Sequence, residues 1–192
     1  MAGQLEGKRI LILATNGFEQ SELEVPRDKL KAAGAKVDVA SPQAGSITGW
    51  DKTDWGRSVI VDKTLSAAKV ADYDAIVLPG GVMNPDHLRV NNEALELIRG
   101  FFDAGKTVAA VCHAPWLLVE AGIAKGRKMT AYETIKTDVI NAGAKWEDSQ
   151  VVTDNGVVTS RNPGDLDAFV GKIIEEVKGG MHQRFRHIGV LS

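Results

Sequence analysis

Short apolar runs alternate with segments of helical period along most of this chain. Residues 9–14 (RILILA) are too few for a helix and rich in branched side chains, the pattern of a strand buried on both faces. A helix is predicted over 22–33, stopped at Gly34; Pro26 inside it predicts a bend or a late start. Residues 36–40 (KVDVA) and 74–78 (DAIVL) read as further strands, the second closed by Pro79-Gly80-Gly81. Segment 92–104 sets Leu95, Ile98 and Phe102 on one helical face and ends at Gly105. A buried strand at 106–111 (KTVAAV) then runs directly into Cys112-His113-Ala114-Pro115. Leu166, Phe169, Val170, Ile173, Ile174 and Val177 recur at intervals of three and four, the clearest helix in the chain.

This β-α alternation with doubly buried strands predicts an α/β three-layer sandwich around a mostly parallel sheet. Two stretches break the rhythm. Residues 47–61 carry Gly49 and Gly56 among Thr, Trp and Val and read as a hairpin outside the main sheet. Residues 151–160 contain Asn155-Gly156 between β-prone runs, a two-residue hairpin signal. With no repeat or linker, 1–192 reads as one domain, with a core over about 8–178 and a tail at 179–192. That tail carries His182, Arg184, Arg186 and His187, and is either a frayed terminus or a docking segment for a partner subunit.

Composition narrows the chemistry. Twenty-three Lys and Arg against 25 Asp and Glu leave a net charge of −2, which gives no general reason to bind nucleic acid or an anionic membrane. Cys112 is the only cysteine, so neither an intramolecular disulfide nor a site needing several thiolates can form. The first eight residues lack the pattern of a secretory signal, and no apolar run approaches the ~18 residues of a membrane span. The expected setting is the cytoplasm. His87, His182 and His187 share no metal-ligand spacing and read as surface residues, so no metal is expected. Neither a GxGxxG nor a P-loop is present, which argues against a dinucleotide or ATP cofactor.

A lone cysteine is often an inert core residue. Cys112, however, lies where a buried strand ends and Ala114-Pro115 open a helix. A strand-turn-helix of this kind lifts one side chain at the carboxyl edge of the sheet, and free amides at the helix start favour a thiolate. His113 can serve as a base only if its ring folds back onto the sulfur; otherwise it satisfies nearby backbone. Glu19, in the loop after the first strand, is either a first-turn charge or, pointing inward, a buried protonated acid that donates to the sulfur. Gly80-Gly81 permits close backbone approach, and the amides of Gly81 and His113 can form an oxyanion hole.

Taken together, these pieces resemble the ThiJ/PfpI family of the class I glutamine amidotransferase-like superfamily. The resemblance rests on Gly17-Phe18-Glu19, Leu78-Pro79-Gly80-Gly81 and Ala110-Val111-Cys112-His113-Ala114-Pro115, with Pro163 and Asp165 matching the closing region. It spans residues 8–178 and implies a flavodoxin-like sheet with the nucleophile at the elbow. It further implies Cys112 as nucleophile, Glu19 as the protonated holder of its thiolate, and His113 as base. An acid from a neighbouring subunit would orient His113, a role that falls by position to Asp86. A homodimer or larger ring, no cofactor, and a peptide, glycated amine or small carbonyl substrate follow from the same resemblance, as does a place in stress defence. Two other functions stay open: a redox sensor in which Cys112 is oxidised, and a chaperone-like scaffold.

Overall fold

The computed structural model describes residues 3–184 of the chain. Its first half runs β1 (Arg9–Leu13), β2 (Phe18–Glu19), α1 (Gln20–Ala32), β3 (Lys36–Ser41), β4 (Gly45–Asp51), β5 (Asp54–Val61), β6 (Lys63–Thr64) and β7 (Ala75–Leu78). The second half adds α2 (Met83–Leu88), α3 (Asn92–Asp103), β8 (Thr107–Val111), α4 (Pro115–Glu120), β9 (Lys128–Met129) and α5 (Lys136–Asn141). It closes with β10 (Lys145–Trp146), β11 (Val152–Asp154), β12 (Val157–Ser160) and α6 (Leu166–Gly179).

A seven-stranded sheet in the order β11-β12-β8-β7-β1-β3-β6 forms the middle layer, and only β11 runs antiparallel to its neighbour. The apolar runs are continuous because both faces are covered. Ile10 and Ile12, Ala75 and Val77, and Ala109 and Val111 point to the face packed by α1 and α6, against Leu23, Leu30, Phe169 and Ile173. Leu11 and Leu13, Ile76 and Leu78, and Val108 and Ala110 point to the other face, against Leu95, Ile98, Phe101, Leu117 and Val139. A one-residue slip of any strand would exchange these two sets, so the pleat fixes the register.

The expected hairpin outside the main sheet is present as β4 and β5, joined by β2 in a three-stranded sheet of its own. Asn155 and Gly156 turn between β11 and β12 at φ of 50° and 78°, as the Asn-Gly pair predicts. Pro26 imposes no late start: α1 begins at Gln20 and continues through Pro26, which is buried against the sheet.

The start of the tail departs from expectation. Its first residues lie on the body of the domain instead of fraying, and His182 is not a surface residue. The His182 amide donates to Gly105 O (2.7 Å), and its ring packs beside Gly156 with Nε2 3.4 Å from Glu176 Oε2. The Arg184 guanidinium donates to Asn155 O (3.0 Å), Phe102 O (2.6 Å) and Lys106 O (2.8 Å) and lies over the Phe102 ring. Arg186 and His187 fall outside the described residues. Arg184 thus ties together α3, β8 and the β11–β12 turn at the amino-terminal edge of the sheet. Arg184→Ala is expected to lower stability by about 2 kcal/mol, the cost of leaving three carbonyls without a charged donor. Urea unfolding checks this, and an unchanged midpoint would remove the tail from the account of stability.

Candidate active site

At the carboxyl edge of the sheet, β8 ends in a residue that strand geometry cannot accommodate. Cys112 has φ of 63°, in the left-handed region, which costs a non-glycine residue about 1–2 kcal/mol. Its surroundings hold it there. The Cys112 amide donates to Ser160 O on β12 (3.0 Å), its carbonyl accepts from Tyr132 N (2.8 Å), and the Ala114 amide closes the turn onto Val111 O (3.0 Å). Pro115 then opens α4 at a first position that needs no amide hydrogen. The elbow expected from the sequence is therefore formed, with the side chain of Cys112 redirected away from the strand's alternation.

The carboxyl group beside that sulfur belongs to Glu22, not to Glu19. Glu19 is half-buried at the end of β2, where its side chain interacts with Ser21, Asp51 and Lys52. Glu22 lies three residues on, fully buried on the inward face of α1 with Pro26 and Leu30. Its Oε2 accepts the Gly80 amide (2.8 Å), and the carboxyl lies within hydrogen-bonding reach of the Cys112 thiol. Oε1 is buried with no nitrogen or oxygen partner.

Gly80 explains how these groups come so close. A Cβ there would sit 2.5 Å from Glu22 Oε2, 2.7 Å from Val111 O and 2.8 Å from Cys112 Cβ. Gly81, at φ of 79°, brings its amide to the sulfur together with that of His113. These are the two amides expected to form an oxyanion hole, and they converge on Cys112.

His113 folds back as its chemistry requires. Its Nδ1 is 3.2 Å from Cys112 Sγ, its ring stacks on Tyr132 (centroids 4.7 Å apart, planes at 25°), and Trp116 meets it edge-on. The outer nitrogen, Nε2, is 3.2 Å from Thr134 Oγ1. Asp86 is exposed on α2 and makes no hydrogen bond to His113 within this chain. Beside Tyr132 and Thr134 opens a cavity of about 410 Å³, lined also by Lys136, Trp146, Arg161 and Asn162. Arg161 is held by Asp165, buried in the closing region, and by Asp148. Tyr132, Thr134 and Glu22 are the site residues that the sequence reading missed.

Burial sets the protonation of the site. It raises the Glu22 carboxyl to about 8, so this group keeps its proton at neutral pH. Burial, reinforced by Glu22 whenever that group is ionised, also pushes the Cys112 thiol up; the Gly81 and His113 amides pull it the other way without prevailing. The thiolate expected from a helix start is thus opposed by desolvation. Burial lowers His113, which favours a neutral ring. Among the described residues no group of three or more His, Cys, Asp or Glu is placed to hold a metal ion, and no helix is long and apolar enough to cross a membrane.

A doubly wound α/β sandwich with a cysteine at a strained strand-to-helix elbow defines a class of proteins by its geometry. Within that class, residues 8–176 match the model of the DJ-1/PfpI family, and the chain belongs to that family. It is 44% identical over 170 residues to Deglycase PfpI of Pyrococcus furiosus, covering 88% of this chain and 99% of the relative. It is 43% identical over 163 residues to Protein/nucleic acid deglycase 2 of Escherichia coli K12, covering 84% of this chain and 93% of that protein. Putative cysteine protease YraA of Bacillus subtilis is 38% identical over 163 residues, with 84% of this chain and 94% of that one covered. Among solved structures, Drosophila melanogaster DJ-1beta superposes with a TM-score of 0.81 at 30% identity, covering 93% of this chain and 92% of its own.

Because Glu22 binds its proton more tightly when folded (about 8) than in an unfolded chain (4.5), the folded state loses stability as pH rises through that interval. Glu22→Gln is expected to remove this slope, by an amount on the order of a few kcal/mol at pH 8 and above. Urea unfolding of both proteins at pH 5 and pH 9 measures it; parallel pH profiles would mean that Glu22 is ionised in the fold.

Proposed function

We propose that this protein is a cysteine-dependent hydrolase that removes carbonyl-derived adducts from amines, the activity named for its deglycase relatives. The observation that carries this reading is the approach of His113 Nδ1 to Cys112 Sγ at 3.2 Å, with a protonated carboxyl behind the sulfur.

In this reading the substrate is the carbinolamine that an α-dicarbonyl forms with an amine: its hydroxyl proton passes through His113 to nitrogen, the C–N bond breaks, and the amine leaves as the aldehyde C=O forms. His113 Nδ1 then takes the thiol proton as sulfur attacks the aldehyde carbon, forming the C–S bond while the C=O π bond opens onto oxygen. The sulfur is an anion only in passing, and the Glu22 O–H stabilises the charge as it develops. The oxygen of the tetrahedral adduct takes up the amides of Gly81 and His113, which the sulfur no longer needs once it is bonded to carbon. His113 moves the proton of that carbon to the neighbouring carbonyl carbon, so that one carbon is oxidised as the other is reduced and a thioester is left. Water, deprotonated by the same imidazole, cleaves the C–S bond, releases the hydroxy acid and restores the thiol.

Desolvation favours the adduct over an ordinary peptide bond as substrate. A thiol that burial holds protonated and an imidazole that burial holds neutral make the ion pair costly, so the attack suits a carbon more electrophilic than a resonance-stabilised amide. The test is turnover of glycated amines, methylglyoxal and peptides side by side by wild type and Cys112→Ala. Amine release from the glycated substrate, falling at least about a thousandfold in Cys112→Ala, is the expected outcome. Undiminished release by that variant would end the assignment; faster cleavage of the peptides would move the substrate to the protease side of the family.

A further inference from the structure

A fully buried asparagine stands behind the glycine turn. We infer that Asn84 is a positioning residue for the site: its carboxamide grips the carbonyls of Pro79 and Gly80 and thereby turns the amide hydrogens of Gly80 and Gly81 toward Glu22 and Cys112. The inference rests on the reading of the Gly81 amide as part of the oxyanion hole, and it goes beyond that reading in assigning what aims it.

A trans peptide unit is planar, so its C=O and the N–H that follows point in opposite directions. The Pro79 carbonyl shares a unit with the Gly80 amide, and the Gly80 carbonyl shares one with the Gly81 amide. Asn84 Nδ2 donates to Pro79 O (2.8 Å) and to Gly80 O (3.2 Å), which also accepts the Glu19 amide (3.2 Å). On the opposite side of the same two units, the Gly80 amide reaches Glu22 Oε2 (2.8 Å) and the Gly81 amide reaches the sulfur. One NH2 group therefore sets the direction of both amides that meet the buried acids.

The polarity of these bonds is fixed by chemistry. Asn84 Oδ1 accepts the Thr15 amide (2.7 Å), and a backbone N–H can only donate. The carboxamide oxygen thus faces Thr15, and its nitrogen faces two carbonyls that can only accept. Both hydrogens and the oxygen are used, as full burial at the start of α2 demands. The turn needs such a grip. Gly80 must lack a Cβ for Glu22 to approach, and Gly81 sits at φ of 79°, so sterics oppose a flip of the peptide between them only weakly. A flip would exchange the Gly81 N–H at the sulfur for the Gly80 carbonyl, which repels the charge that the amide stabilises.

The test compares wild type with two variants. Asn84→Leu keeps the volume and removes the bonds to Thr15, Pro79 and Gly80; Asn84→Asp keeps the bond from Thr15 but offers the carbonyls at most one hydrogen. Alkylation of Cys112 by iodoacetamide at pH 8, followed without substrate, should slow by roughly tenfold in both, because the thiolate loses an amide donor. For a glycated amine, kcat should fall about a hundredfold with KM nearly unchanged. Ile98→Val, a change in the core on α3, should leave the alkylation rate as in wild type. The Gly80 amide should exchange its hydrogen slowly in wild type and at least about tenfold faster in either Asn84 variant. An alkylation rate at or above that of wild type in a folded Asn84 variant overturns the inference. Equal slowing in Ile98→Val does so too, as does a wild-type Gly80 amide that exchanges as freely as one in an open loop. Alkylation and exchange are read without substrate, so the inference stands or falls separately from the hydrolase reading, which fails instead if Cys112→Ala still turns over.

Discussion

The structure turns on one buried contact between two acids. Glu22 and Cys112 are both removed from water, and each makes ionisation of the other harder. Two charges cannot be held in that space, so burial sets a limit of at most one. Everything around the pair serves that limit: Gly80 lacks the Cβ that would separate the groups, its amide occupies one carboxyl oxygen, and the left-handed elbow holds the sulfur beside the carboxyl. The remaining proton on Glu22 is the feature that makes this a site. An ionised carboxylate there would repel a developing thiolate, whereas a neutral one donates to it.

That arrangement is affordable because the scaffold is rigid where it matters. The strained torsion at Cys112 is held by hydrogen bonds to two separate elements, β12 and the turn at Tyr132, while β8 lies between β7 and β12 in the centre of the sheet. A single bond would let the residue relax toward ordinary geometry; two from opposite sides leave it no direction in which to relax. The Arg184 clamp at the other end of β8 belongs to the same logic, since it pins the strand whose carboxyl end carries Cys112.

The fold was largely legible in the sequence because doubly buried strands write themselves as uninterrupted apolar runs and Gly closes the helices between them. The elbow was legible for the same reason: a buried strand that meets Cys-His-Ala-Pro has little choice but to turn. Glu22 was passed over in favour of Glu19 because the latter sits in the matched motif, but periodicity held the signal. Glu22, Pro26 and Leu30 are spaced by four on one face of α1, and an acid on the inward face of a helix is the anomaly to pursue. Thr134 left no such mark. A threonine in a turn is ordinary, and only the three-dimensional closure of its loop onto His113 gives it meaning. The first residues of the tail misled for a related reason: charged residues read as solvated, yet the guanidinium of Arg184 finds three carbonyls that no pattern of apolar residues announces.

Burial acts on Cys112 and His113 from both sides, and in the proposed reaction this shapes what the pair can attack. It raises the thiol and lowers the imidazole, so the separated ion pair is disfavoured twice over. A site of this kind does not keep a standing thiolate that reacts with any passing electrophile. It holds a thiol 6% exposed, next to a neutral base, and ionisation becomes favourable only when the charge can move on to a substrate oxygen met by the Gly81 and His113 amides. The proton transfer and the attack are then a single event, and the sulfur's reactivity is conditional on a bound carbonyl. The same desolvation that makes Cys112 a weak acid at rest therefore makes it selective, because only a carbon able to accept the charge at once draws the proton off the sulfur.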